Sequence, residues 1–95
     1  MIEVAKTVEF DRWLKDLKDT RARAKVIIRI QRLELGNAGD VAPVGDGISE
    51  MRIHYGPGYR VYFKQQGATV LLLFGGHKGT QEADIQKAKA LSECE

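Results

Sequence analysis

The chain is predicted to fold as one α+β domain over residues 1–95, a small antiparallel or mixed four-stranded sheet with helices packed on it, in the order β-α-α-β-β-β-α. Three observations carry this reading. Apolar residues recur at helical spacing through the first third of the chain. Two alternating runs between Met51 and Phe63 flank Gly56-Pro57-Gly58, and alternation broken by glycine and proline signals a β-hairpin. The run Ala68–Phe74 is continuously apolar and bounded by glycines, as suits a central strand covered on both faces.

Ile2 to Lys6 reads as a short strand. Thr7 is placed to cap a helix, with Glu9 and Asp11 where the positive end of the helix dipole favours carboxylates. Phe10, Trp13, Leu14 and Leu17 then fall at i, i+3, i+4 and i+7, one helical stripe. At that spacing Trp13 suits a core better than a stacking platform. Asp19 or Thr20 caps a second helix that reaches about Leu35, where Gly36-Asn37 stops it. Its buried stripe is Val26, Ile30 and Leu33, flanked by Ala22 and Ile27.

Asn37 to Asp46 reads as a loop. In the hairpin that follows, a register with Tyr55 opposite Tyr59 puts Ile53 against Val61 and Met51 against Phe63, an apolar face. On the other face it sets His54 against Arg60, Arg52 against Tyr62 and Glu50 against Lys64. A slip by one residue would mix the faces. Gln65-Gln66-Gly67 makes the next turn, Gly75 to Gly79 ends the central strand, and Thr80 caps a last helix with Ile85, Ala88 and Leu91 inward.

Composition narrows the function classes. At 43% hydrophobic and 29% charged the chain is a folded domain rather than a disordered one. Cys94 is the single cysteine, which excludes an internal disulfide and fits a reducing compartment. The first residues include Glu3 and Lys6 and lack a signal peptide's apolar core, and no apolar run approaches the ~18 residues that cross a bilayer. A soluble, cytoplasmic protein is expected. The net charge of +2 is small, but its distribution is uneven. Arg12, Lys15, Lys18, Arg21, Arg23, Lys25, Arg29 and Arg32 face only Asp16 and Asp19 over the same stretch. Such clustering suits a phosphate backbone, or a solvated helix face.

Gly75–Gly79 lacks the spacing of a phosphate loop. His54, His77 and Cys94 give no zinc pattern, and Ser49 and Ser92 no hydrolase triad. No cofactor or metal is expected. The cations Arg52, His54, Arg60, His77 and Lys78 remain as candidate catalytic residues, against the plainer reading of exposed strand positions. RNA cleavage needs a base for the 2′-hydroxyl, cations for the phosphorane-like transition state and an acid for the leaving oxygen. Arginine suits the charge-stabilising role and histidine the proton-moving ones. Arg21, Lys25, Arg29 and Arg32, with Tyr62 and Lys64 from the hairpin's polar face, are the candidate RNA contacts.

Over nearly its whole length the chain resembles RelE/ParE-superfamily toxins of bacterial type II toxin–antitoxin systems, and more narrowly the addiction module killer branch related to HigB-type toxins. The likeness rests on E-F-D-R-W-L at 9–14, G-D-V-A-P-V-G-D-G-I-S-E at 39–50, R-I-H-Y-G-P-G-Y-R-V-Y-F at 52–63 and L-L-L-F-G-G-H-K-G-T-Q at 71–81. It implies a toxin that cleaves mRNA on the ribosome and so inhibits translation. It also implies direct inhibition by a cognate antitoxin, one carrying a helix-turn-helix domain. That partner is expected to lay an apolar segment near the first two helices, with acidic residues meeting Arg21, Lys25, Arg29 and Arg32. By this resemblance Arg60 is the phosphate-contacting arginine and Lys78 a second basic residue. The family's aromatic or histidine near the last helix is missing from Gln81-Glu82-Ala83-Asp84, so His54 and His77 stand in for it. The resemblance equally allows a gyrase poison without nuclease chemistry, or a toxin that has lost activity and serves in repressing its own operon.

Overall fold

A computed structural model describes residues 1–94. In it β1 (Glu3–Lys6) leads into α1 (Val8–Asp16) and α2 (Thr20–Glu34), followed by β2 (Val41–Gly45), β3 (Ile48–Ile53), β4 (Tyr59–Gln66) and β5 (Thr69–His77). A 3-10 turn over Lys78–Thr80 then enters α3 (Gln81–Cys94). The class is α+β, with five strands in the order β1-β5-β4-β3-β2 rather than four. Only β1 runs parallel to its neighbour, pairing Glu3–Lys6 with Thr69–Leu72. None of the helices among the described residues is long and apolar enough to cross a membrane.

The added strand lies where a loop was expected. Val41–Gly45 pairs antiparallel with β3, and Pro43 is tolerated because β2 is the sheet's edge. The connection is Asp46-Gly47, both at positive φ (57° and 76°), the conformation a two-residue hairpin demands. The Asp-Gly pair was the legible signal, masked by the surrounding glycines and the proline.

The main hairpin is also differently paired. Arg52 opposes Arg60, Met51 opposes Val61, Glu50 opposes Tyr62 and Ile53 opposes Tyr59. The expected register is therefore displaced by two residues, because His54 to Gly58 form a wide tip with Gly56 and Gly58 at φ 57° and 81°. A shift of two preserves the side-chain alternation, so the two faces hold the residues assigned to them. Met51, Ile53, Val61 and Phe63 join Phe10, Leu14, Val26 and Leu33 in the larger core under α1 and α2.

The opposite face is not half-open. α3 covers part of it, where Ile48, Tyr62, Leu71, Leu73 and Ala88 form a second core, with Ile85 and Leu91 against it. Both covers meet at Gly75-Gly76, which lie inside β5 instead of ending it. A methyl group on Gly75 would strike the Trp13 ring at 2.2 Å, and one on Gly76 the Asp84 carboxylate at 1.7 Å. These glycines let a helix approach the sheet on each side. His77, not Thr80, caps the turn that follows: its Nδ1 accepts from the Gly79 amide at 3.1 Å, and Thr80 instead donates to Asp84.

Thr7 and Asp19 cap α1 and α2 as expected. The Thr7 hydroxyl accepts from the Phe10 amide at 2.9 Å and donates to the Leu73 carbonyl at 2.6 Å. It thereby ties the helix start to β5. Asp19 accepts from the amides of Arg21 and Ala22 and also takes the Tyr55 hydroxyl at 3.0 Å.

Candidate functional site

Period-two geometry puts Glu50, Arg52, Arg60 and Tyr62 on the sheet face toward α3. Glu50, 2% exposed, is the centre of that group. Its carboxylate accepts from Arg52 Nε at 3.0 Å and from Gln81 Nε2 at 2.8 Å, and Arg60 Nη1 lies 3.8 Å away. Arg60 is only 13% exposed at its side chain, while Arg52 is 38% exposed. Arg60 Nε and the Tyr62 hydroxyl are buried without a hydrogen-bond partner among the described residues. Tyr62 is wholly buried, so it is not the surface RNA contact expected of it; burial, then the charges of Glu50 and Asp84, push its hydroxyl's pKa up. Lys64 is half-buried and donates to Ser92 Oγ at 3.2 Å.

Asp40, just before β2, links this group to the hairpin tip. One carboxylate oxygen lies 2.6 Å from His54 Nε2 and the other 3.8 Å from Arg52 Nη1. The loop is held in place by backbone, since the Arg52 amide donates to the Asp40 carbonyl at 2.9 Å. The hydrogen bond to His54, with help from the positive charges of Arg52 and Arg29, keeps the Asp40 carboxyl below the usual carboxylate range. The His54 side chain is 75% exposed. A carboxylate thus orients an open imidazole beside an accessible guanidinium, an arrangement able to move a proton and hold a phosphate.

His54 also borders a cleft of about 300 Å³ lined by Lys25, Ile28, Arg29, Arg32 and Ile53. Arg29 is its back wall. The guanidinium donates to the carbonyls of Arg52, Ala38 (3.0 Å) and Asp40 (3.5 Å), pinning α2 to the sheet, and burial lowers its pKa. Lys25 sits 5.3 Å from the Tyr55 ring centroid. Arg21 is exposed on α2 but does not line the cleft.

Of the candidate catalytic residues, Arg52, Arg60 and His54 are brought together through Glu50 and Asp40. His77 and Lys78 are not. His77 pairs with Tyr59, whose ring packs on the α1/α2 core, and so stands on the other face from Arg60. Lys78 is exposed beyond it. Asp40, Glu50 and Gln81 escaped the sequence reading as site residues. Glu50 was legible as the i−2 neighbour of Arg52 on one strand face; Asp40 and Gln81 arrive from distant segments with no spacing signal.

No protein-family model matches the chain. An uncharacterized protein of Haemophilus influenzae is 53% identical over 93 residues, spanning 97% of this chain and 94% of that protein. Identity at that level along nearly both full lengths shows common descent, and the chain belongs to the same family as this Haemophilus influenzae protein.

Proposed function

We propose that the chain is the toxin of a type II toxin–antitoxin pair with a RelE/ParE-like fold, acting as a metal-independent endoribonuclease on mRNA at the ribosome. The observation that supports it is the Asp40 clamp, which joins an exposed imidazole and an accessible guanidinium at one edge of a basic cleft. In this reading His54 accepts the 2′-hydroxyl proton as that oxygen attacks the adjacent phosphorus. Arg52 holds the non-bridging oxygens as charge builds on them, and Arg60 supports Arg52 through their shared carboxylate. The 5′-oxygen leaves, taking a proton from an acid supplied by the imidazolium or by solvent, and a 2′,3′-cyclic phosphate remains. His77 and Lys78 take no part.

The inhibitor is a cognate antitoxin, a helix-turn-helix protein that contacts the first two helices, and the pair works in the cytoplasm. Inducible expression with mapping of transcript ends tests the activity. New ends within codons in the parent, lost in Arg52→Ala and His54→Ala proteins that still fold, are expected. Intact transcripts in cells arrested by the parent protein would overturn it.

One observation favours a second reading. Arg60 is nearly buried and its charge is met by Glu50, which leaves less free positive charge on the sheet than a phosphate site uses. A toxin that poisons DNA gyrase by binding, without nuclease chemistry, needs no such charge. An SOS response with undamaged mRNA after induction is the outcome that selects it.

A further inference from the structure

We propose that the cleft between α2 and the end of β3 is a one-nucleotide subsite, taking a phosphate on Lys25 and Arg32 and a nucleobase against Ile28 and Ile53. The inference rests on the RNA-directed reading above and adds where a single nucleotide of that substrate sits.

Charge is the first support. Lys25, Arg29 and Arg32 all line the cleft, and none has a carboxylate within 4.0 Å among the described residues. Asp40, the nearby acid, is engaged by His54 and Arg52. Arg29 cannot swing away to solvent because three carbonyls hold it. Burial lowers the Arg29 pKa, the nearby Asp40 charge opposes that shift, and Arg32, one turn along the same helix, adds a smaller like-charge effect. Lys25 and Arg32 bring two cations without an ion-pair partner among the described residues to one concavity, and with Arg29 behind them they concentrate anions there.

The floor is the second support. Ile28 is 44% exposed although it stands among charged neighbours, and Ile53, a core residue 4% exposed, shows only an edge to the same cleft. The volume, about 300 Å³, lies at the lower end of pockets that hold small molecules, roughly 300–1,000 Å³. A nucleotide covers both features at once, its base on the isoleucines and its phosphate on the cations. An acidic peptide would meet the cations and leave Ile28 bare. His54 borders the same cleft, so a nucleotide seated here presents its neighbouring phosphodiester to the imidazole.

The test is a methyl and amide NMR titration of the full chain with each nucleoside 3′-monophosphate, with inorganic phosphate and with hexaglutamate. Nucleotides should shift the Ile28 and Ile53 methyl signals and bind at least about tenfold more tightly than phosphate. Lys25→Gln with Arg32→Gln should weaken nucleotide binding by about tenfold or more and flatten its salt dependence. Unmoved isoleucine methyls, equal affinity for phosphate and nucleotide, or stronger binding of hexaglutamate would each overturn the assignment. Nucleotide binding without transcript cleavage in cells would sink the nuclease reading and leave the subsite standing. Cleavage without nucleotide binding would do the reverse.

Discussion

Arg52 stands directly across from Arg60 on neighbouring strands, and the buried carboxylate of Glu50 reaches both. Like charges opposed in this way destabilise a sheet, and Glu50 is the acid that meets both, while Asp40 meets Arg52 alone at 3.8 Å. Replacing Glu50 by glutamine keeps the shape and leaves a nearly buried guanidinium uncompensated. Glu50→Gln should therefore cost about 3 kcal/mol in a urea or guanidinium titration. A loss below about 1 kcal/mol, the scale of an exposed pair, would show that Glu50 is not what holds the arginines.

The Asp40 clamp gives stability a defined acid limb. The ordinary carboxyl value is 3.8, and the folded value lies below it. The folded state therefore prefers the ionised form. Its contribution is complete above about pH 5, where both states are ionised, and is lost as pH falls through the folded value. Unfolding midpoints of the parent should drop more between pH 5 and pH 3 than those of Asp40→Asn. Parallel curves would count against the clamp.

Thr7 has one hydroxyl serving two elements, donating to β5 and capping α1 while 5% exposed. Thr7→Ala should cost about 2 kcal/mol, which lowers Tm by roughly 8–16 °C in a domain this size. Thr7→Ser keeps both bonds and should recover most of that loss. Equal melting of the two variants would assign the effect to the methyl group instead.

A different outcome is expected at Tyr62, whose buried hydroxyl has no partner among the described residues. Removing it sheds an unmet desolvation cost, so Tyr62→Phe should unfold at the same denaturant concentration as the parent or a higher one. A clear drop would mean that the hydroxyl is satisfied in solution.

Gly75→Ala should displace the Trp13 ring and cost roughly 1–3 kcal/mol, with a changed tryptophan emission as the second readout. An unchanged spectrum and midpoint would show that Trp13 does not close on the strand at Gly75.

Much of the architecture was written in periodicity. The Phe10, Leu14 and Val26, Leu33 stripes point inward where spacing put them, and Thr7 and Asp19 cap where their side chains suggested. The sorting of residues between hairpin faces survived a two-residue error in register, since the pleat repeats every two residues. What stayed hidden depends on contacts across the chain. Pro43 and its flanking glycines disguised β2, which only an edge position permits. Tyr62 looked like a surface residue because nothing in the hairpin announces that α3 lies over it. Asp40 meets His54 through the path of a loop, and no local pattern encodes that path.

The parallel pairing of β1 with β5 sets the order of events during synthesis. Glu3–Lys6 precedes the other four strands of the sheet, yet its partner spans Thr69–Leu72. Most of the polypeptide must clear the exit tunnel before that ladder closes, and until then the amino-terminal strand and α1 lack the surface they rest on. A nascent chain truncated before residue 69 should remain open to protease, and the sheet should assemble late, only once Thr69–Leu72 is free to pair.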